Sequence, residues 1–134
     1  MILIFFILLL IIPTQMLPLT ITASYFNQTY SAENPLVLTE TTTITMDESI
    51  IITTKEPLFD VQNPATPLQL IFFQTGTKTF QVLIEKGAVF NLKNFTKIDQ
   101  IIFQNCDLNT QNKSTILLAG TLVFESGGTI VLSH

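Results

Sequence analysis

Two patterns of apolar residues divide this chain. The first is unbroken: Met1-Ile2-Leu3-Ile4-Phe5-Phe6-Ile7-Leu8-Leu9-Leu10-Ile11-Ile12 holds no polar side chain until Pro13 interrupts it. In the second, apolar positions come in short runs: Thr41-Thr42-Thr43-Ile44-Thr45-Met46, Ser49-Ile50-Ile51-Ile52-Thr53-Thr54, Leu68-Gln69-Leu70-Ile71-Phe72-Phe73-Gln74 and Thr79-Phe80-Gln81-Val82-Leu83-Ile84-Glu85. Ala88–Lys93, Gln100–Gln104, Thr115–Leu118, Thr121–Glu125 and Thr129–Leu132 continue the series. Many of these residues are β-branched or aromatic, types that fit a pleated, half-buried surface. Turn formers separate them at Asp47-Glu48, Asn63-Pro64, Thr75-Gly76, Lys86-Gly87, Asn105, Gly120 and Gly127-Gly128. Beyond the leader, no window of a dozen residues keeps an apolar stripe at helical spacing. The pattern predicts an all-β domain of about nine or ten short strands, roughly 8–12 residues apart.

The leader changes the picture because it sets the compartment. An apolar core of roughly 7–15 residues, a helix breaker and a small-residue zone make a secretory signal. Thr22-Ala23-Ser24 supplies the small residues, so residues 1–24 are expected to be a leader helix and 25–134 a single β domain, either whole or a truncated piece of a longer solenoid. An uncleaved signal anchor is the alternative: Met1–Ala23 is marginally long enough for the roughly 20 residues a spanning helix needs. The leader has no Lys or Arg to form a positive n-region. A secreted chain meets glycosylating conditions, and Asn27-Gln28-Thr29, Asn94-Phe95-Thr96 and Asn112-Lys113-Ser114 are acceptor triplets. Asn27, Asn94 and Asn112 are therefore the candidate glycosylation sites.

Charge and reactive residues mostly exclude. The net charge is −4, and the six cations are all Lys, scattered from Lys55 to Lys113, with no Arg. Nucleic-acid binding needs clustered Arg and Lys, so it is not expected. Cys106 is the sole cysteine, which rules out an internal disulfide and points to a small buried apolar side chain. His134 is the sole histidine and the last residue, which suits neither a general base nor a metal ligand. One His and one Cys cannot make a structural zinc site, and no EF-hand-type calcium loop is present. The four Asp are Asp47, Asp60, Asp99 and Asp107, and their expected role is that of solvated turn carboxylates. No catalytic, cofactor or metal residues are expected.

Strand spacing alone leaves a β-sandwich or a solenoid open. Weak internal similarity favours the solenoid. Gly87-Ala88-Val89-Phe90, Gly120-Thr121-Leu122-Val123 and Gly128-Thr129-Ile130-Val131 each lead from Gly through a small residue into an apolar strand. Ile101-Ile102-Phe103-Gln104-Asn105-Cys106-Asp107-Leu108 has a different cadence, with a strand meeting Asn-Cys at a bend. These segments, within about Thr79–Ser133, resemble coils of the right-handed parallel β-helix proteins of the pectate-lyase-like superfamily. The resemblance implies a short right-handed β-helix of about three or four coils, whose bend Asn would hydrogen-bond to the next coil. That superfamily holds secreted polysaccharide lyases and hydrolases alongside surface proteins without activity.

The lyases of that group commonly use an Arg base, which this chain lacks. A carbohydrate-active enzyme, or a remnant of one, would need carboxylates converging among Asp99, Asp107 and Glu125. The expected function is therefore a secreted or cell-surface structural or adhesion module without catalysis. Its Thr- and Gln-rich β-face would contact carbohydrate or protein, and the open end of the coil stack would allow self-association. Membrane contact is expected only if the leader is retained.

Overall fold

The computed structural model describes residues 19–132, so the apolar run expected to be a leader and His134 lie outside the described residues. Within them are fourteen strands, one α-helix and a 3-10 turn at Phe95–Lys97. The first sheet holds β1 (Leu19–Thr22), β3 (Thr42–Thr45), β6 (Leu68–Phe73), β10 (Ile98–Gln104) and β13 (Thr121–Glu125), in that order. The second is ordered β14 (Ile130–Leu132), β11 (Asp107–Thr110), β7 (Gln81–Ile84), β4 (Ile50–Ile52). The third is β2 (Leu36–Leu38), β5 (Phe59–Val61), β9 (Leu92–Lys93), and the fourth pairs β8 (Val89–Phe90) with β12 (Thr115–Ile116). Helix α1 (Ala23–Thr29) follows β1 directly.

The domain is thus mostly β, as its β-branched runs predict. Every ladder between named strands is parallel. This departs from the antiparallel sheets of a β-sandwich. A parallel neighbour requires a long connection, and here the connection runs through the other sheets. From Gln100 to its partner Thr121 the step is 21 residues, and from Phe59 to Leu92 it is 33.

Strand alternation sends one set of side chains inward. In the first sheet the register aligns Ile21, Ile44, Phe72, Phe103 and Phe124 in one column. Ile44, Phe72 and Phe103 are fully buried, and the column's end members are partly exposed. Phe72 stacks on Phe103 at 5.1 Å and Phe103 on Phe124 at 5.3 Å between ring centroids. Phe72 also meets Phe90 edge-on at 6.1 Å, joining the first sheet to the fourth. Offset stacks and edge contacts of this kind add about 0.5–1.5 kcal/mol each to the burial of the rings. Opposite them, Ile50, Val82 and Leu108 form the matching column of the second sheet.

The region expected to end the leader is part of this packing. Thr22 is the N-cap of α1, its Oγ1 accepting the Tyr25 N–H at 3.0 Å. Ser24 donates from its backbone N–H and its hydroxyl to Asp47, at 2.9 and 2.5 Å. Ala23 and Phe26 are buried, and Phe26 stacks on Tyr30 and leans against Phe59. So Leu19–Thr22 is a strand, and the expected cleavage zone Thr22-Ala23-Ser24 caps and starts a helix. The small and hydroxyl residues that suit a peptidase also suit a helix start. Because Asn27 donates to the Ser49 carbonyl at 2.9 Å, α1 lies beside β4, the edge strand of the second sheet.

Candidate functional site

Asn105-Cys106-Asp107, the bend singled out in the sequence, joins the first sheet to the second. Asn105 takes a left-handed conformation, φ 51°, which Asn tolerates better than most residues. Its Nδ2 donates to the carbonyls of Gln74 and Gly76 at 3.0 and 2.9 Å, in the bend between β6 and β7. The bond to the neighbouring bend is therefore made, but to backbone carbonyls and not to a like amide. Gln74, 3 % exposed, closes its own bend by donating to the Thr77 carbonyl and accepting from the Phe80 N–H.

Asp107 ties three bends together. Its Oδ1 accepts from Lys78 Nζ at 2.9 Å, from Thr129 Oγ1 at 2.6 Å and from the Thr129 N–H at 3.1 Å. Lys78 also donates to the Gly127 carbonyl at 2.6 Å. Burial pushes the Asp107 carboxyl up, but the bonds from Thr129 and Lys78 outweigh it and hold the group below its ordinary value. Asp107 is thus a committed acceptor, ionised and held on both flanks. Lys78 and Thr129, 29 and 22 residues away, could not have been paired with it from sequence, since nothing local links them.

Cys106 is buried and free, as the small-apolar reading expects. Burial, and after it the Asp107 carboxylate, push its thiol up to about 11. A thiol reacts as the thiolate, so at pH 8 the folded chain should give almost no reaction with a disulfide reagent such as dithionitrobenzoate. One equivalent should react once denaturant unfolds the chain. Fast stoichiometric release from the native protein would contradict the buried placement.

The other candidate carboxylates are dispersed. Asp99 is exposed near the start of β10, while Glu125 is level with Gln104 at that strand's far end. Asp47 sits at the start of α1, where the Ser24 hydroxyl and then the Ser24 N–H lower its pKa. Asp60 is buried between Val37 and Lys93 in the third sheet. It accepts from Gln62 at 2.7 Å and lies 4.0 Å from Lys93 Nζ, while its Oδ1 has no hydrogen-bond partner. Among the described residues, no group of three or more His, Cys, Asp and Glu side chains is placed to hold a metal.

The outer face of the first sheet is mixed. Gln69 donates to Gln100 at 2.8 Å and Gln104 to Glu125 at 2.9 Å, flanking an apolar row of Ile71, Ile102 and Val123. Its polar half was legible as alternating Gln and Thr. The apolar row was not, because Ile71 and Ile102 lie within continuous apolar runs. Of the sequon residues, Asn27 is exposed in α1 with Nδ2 bonded to Glu48 and Ser49. Asn94 has φ 61° and donates to the Val61 carbonyl at 3.1 Å, and Asn112 lies on an exposed turn.

A scan against protein-family models, a search of curated proteins and a search of solved structures each found no match. Among the described residues no helix is long and apolar enough to cross a membrane.

Proposed function

We propose that this chain is a secreted or cell-surface structural or adhesion module without catalysis, wound as a short right-handed parallel β-solenoid. Strand order carries the reading. β6 lies in the first sheet, β7 in the second, β8 in the fourth and β9 in the third, and β10 is back in the first. After β1 the chain returns to the first sheet four times, always parallel to its previous pass. Stacking of successive passes on one continuous core is the organisation of solenoid proteins, and it agrees with the likeness to pectate-lyase-like coils. The apolar run ahead of Leu19 and the three sequons support secretion.

Carboxylate placement supports binding over turnover. Asp99 and Glu125 are separated by the length of β10, five steps at about 3.3 Å, or roughly 16 Å. Paired carboxylates in glycoside hydrolysis stand about 5–9.5 Å apart. Asp107 is already engaged by Lys78 and Thr129. The face carrying Gln69, Gln100 and Gln104 offers amides beside apolar surface, a combination suited to carbohydrate or protein contact.

The test is expression of the full chain in a eukaryotic secretory host, with the medium assayed for the product's mass and N-terminus. The product is then incubated with polygalacturonate and with neutral polysaccharides, and unsaturated and reducing ends are measured. The expected result is a folded chain in the medium and no turnover above buffer. Turnover abolished by Asp107→Asn would replace this reading with an enzyme. Retention of the folded chain inside the cell would remove the secreted reading.

A further inference from the structure

We propose, resting on the secreted reading, that Asn112 is the residue of this chain that carries an N-linked oligosaccharide, while Asn27 and Asn94 stay unmodified in the folded protein. All three residues head an acceptor triplet, and all three are exposed. Exposure therefore does not separate them. The side-chain amide nitrogen, the atom to which the sugar is joined, does.

In that transfer Nδ2 bonds to the anomeric carbon of an oligosaccharide carried on a polyprenyl diphosphate. The carbon–oxygen bond to the diphosphate breaks, the diphosphate leaves with the electron pair, and Nδ2 gives up one of its two protons. A glycosylated Asn thus keeps a single N–H and needs open space for a bulky, hydrophilic group. Asn27 already uses its amide twice, donating to Glu48 Oε1 and to the Ser49 carbonyl, each at 2.9 Å. A sugar there removes at least one of the bonds that tie α1 to the approach to β4. Asn94 is left-handed, φ 61°, and its Nδ2 donates to the Val61 carbonyl at 3.1 Å, one pass of the chain away. Phe95, the middle residue of that triplet, packs against the core. A sugar on Asn94 would have to share the space between its nitrogen and the end of β5.

Asn112 is placed differently. It lies in the reverse turn between β11 and β12, closed by the Ser114 N–H on the Gln111 carbonyl at 3.0 Å, with Lys113 left-handed at φ 62°. The turn's backbone is held: the Asn112 carbonyl accepts from the Gly87 N–H at 3.2 Å, in the turn between β7 and β8. Gln111 Oε1 accepts from the Lys86 N–H beside it, also at 3.2 Å. The Asn112 side chain has no hydrogen-bond partner among the described residues, and Lys113 next to it is exposed. A sugar here removes no bond of the fold. The turn stands at the corner between the second and fourth sheets. An oligosaccharide at that corner leaves the Gln69, Gln100 and Gln104 face of the first sheet uncovered.

The experiment expresses the full chain in a eukaryotic secretory host in two forms, one with its own N-terminus and one with a foreign cleavable signal fused ahead of Met1. Folded chain from the lumen and the medium is treated with a glycan amidase, which leaves Asp where an Asn carried sugar, and peptide masses report each position. Asn112 should be occupied, Asn27 and Asn94 should remain Asn, and Asn112→Gln should remove the glycan mass altogether. Asn27→Gln and Asn94→Gln should keep the glycan but lower the urea midpoint, because each disturbs amide bonds of the fold. Asn112→Gln should leave the midpoint of the deglycosylated chain unchanged. An unmodified Asn112 in lumenal chain from the foreign-signal form overturns the proposal, as does sugar on Asn27 or Asn94 of the folded product. A chain that stays in the cytosol behind its own N-terminus, yet carries sugar on Asn112 alone behind the foreign signal, removes the secreted reading and supports the assignment of Asn112.

Discussion

Phe103→Ala is expected to remove about 3–5 kcal/mol of folding stability, the range for deleting a buried aromatic ring. Single domains hold about 5–15 kcal/mol in total, so this one ring accounts for a large share. Phe103 is fully buried and stacks on Phe72 below and Phe124 above. Removing it opens a cavity between rigid parallel strands and abolishes both stacks. Nearby side chains cannot collapse into the gap, because their strands are fixed in register by β6 on one side and β13 on the other. Phe124→Ala serves as the comparison: Phe124 stacks on one ring only among those described and is partly exposed. It should cost clearly less. Urea unfolding of both variants checks the ranking, and equal losses would mean that the phenylalanine column is not a continuous core.

The second large effect is expected at Gly120, which stands in the turn between β12 and β13. A Cβ there would overlap the Asp99 carbonyl and lie 2.9 Å from the Ile98 carbonyl oxygen. Both obstacles are backbone, and Ile98 is buried, so neither can swing aside as a side-chain tip would. Gly120→Ala should therefore cost about 3 kcal/mol or more, at or beyond the upper end for overpacking. Gly76→Ala is the control. Gly76 has φ 72° with no atom within 4 Å of an added Cβ, so only the left-handed strain of about 1–2 kcal/mol applies. Denaturant midpoints for the two variants should differ widely. Similar midpoints would show that the turn before β13 does not rest on β10.

Some elements were legible because their side chains report their own environment. β13 falls where its Gly-led apolar run predicts, β3, β4, β6, β7 and β14 lie within predicted runs, and β10 begins two residues before the predicted Gln100–Gln104. The Ala88–Lys93 run divides into β8 and β9, since Asn91 turns the chain and donates to the Lys55 carbonyl. β2 and β5 escaped because they span three residues each, close to Pro35 and Pro57. Such short strands show no alternation of their own and hold their shape through the passes above and below. β1 was hidden for a different reason: Leu19–Thr22 reads equally as the tail of a leader and as a strand, and pairing with β3 is what makes it one.

The chemistry of the Asn105-Cys106-Asp107 bend divides in the same way. Sequence alone pointed to a bend at Asn105 and a buried thiol at Cys106, because these follow from residue type. It could not say that Asp107 is held by Lys78 and Thr129, or that Asn105 bonds back to Gln74 and Gly76. Those partners are one pass of the chain away, and a pass varies from 21 to 33 residues, so no fixed spacing announces them. By itself the sequence determined a β-rich, charge-poor domain behind an apolar run, since local preference for extended backbone and the burial of apolar side chains are properties of each residue. The tertiary structure alone decided which strands are neighbours and that the ladders between the described strands are all parallel. Those depend on how far the chain travels before it returns, a distance no single run of residues contains.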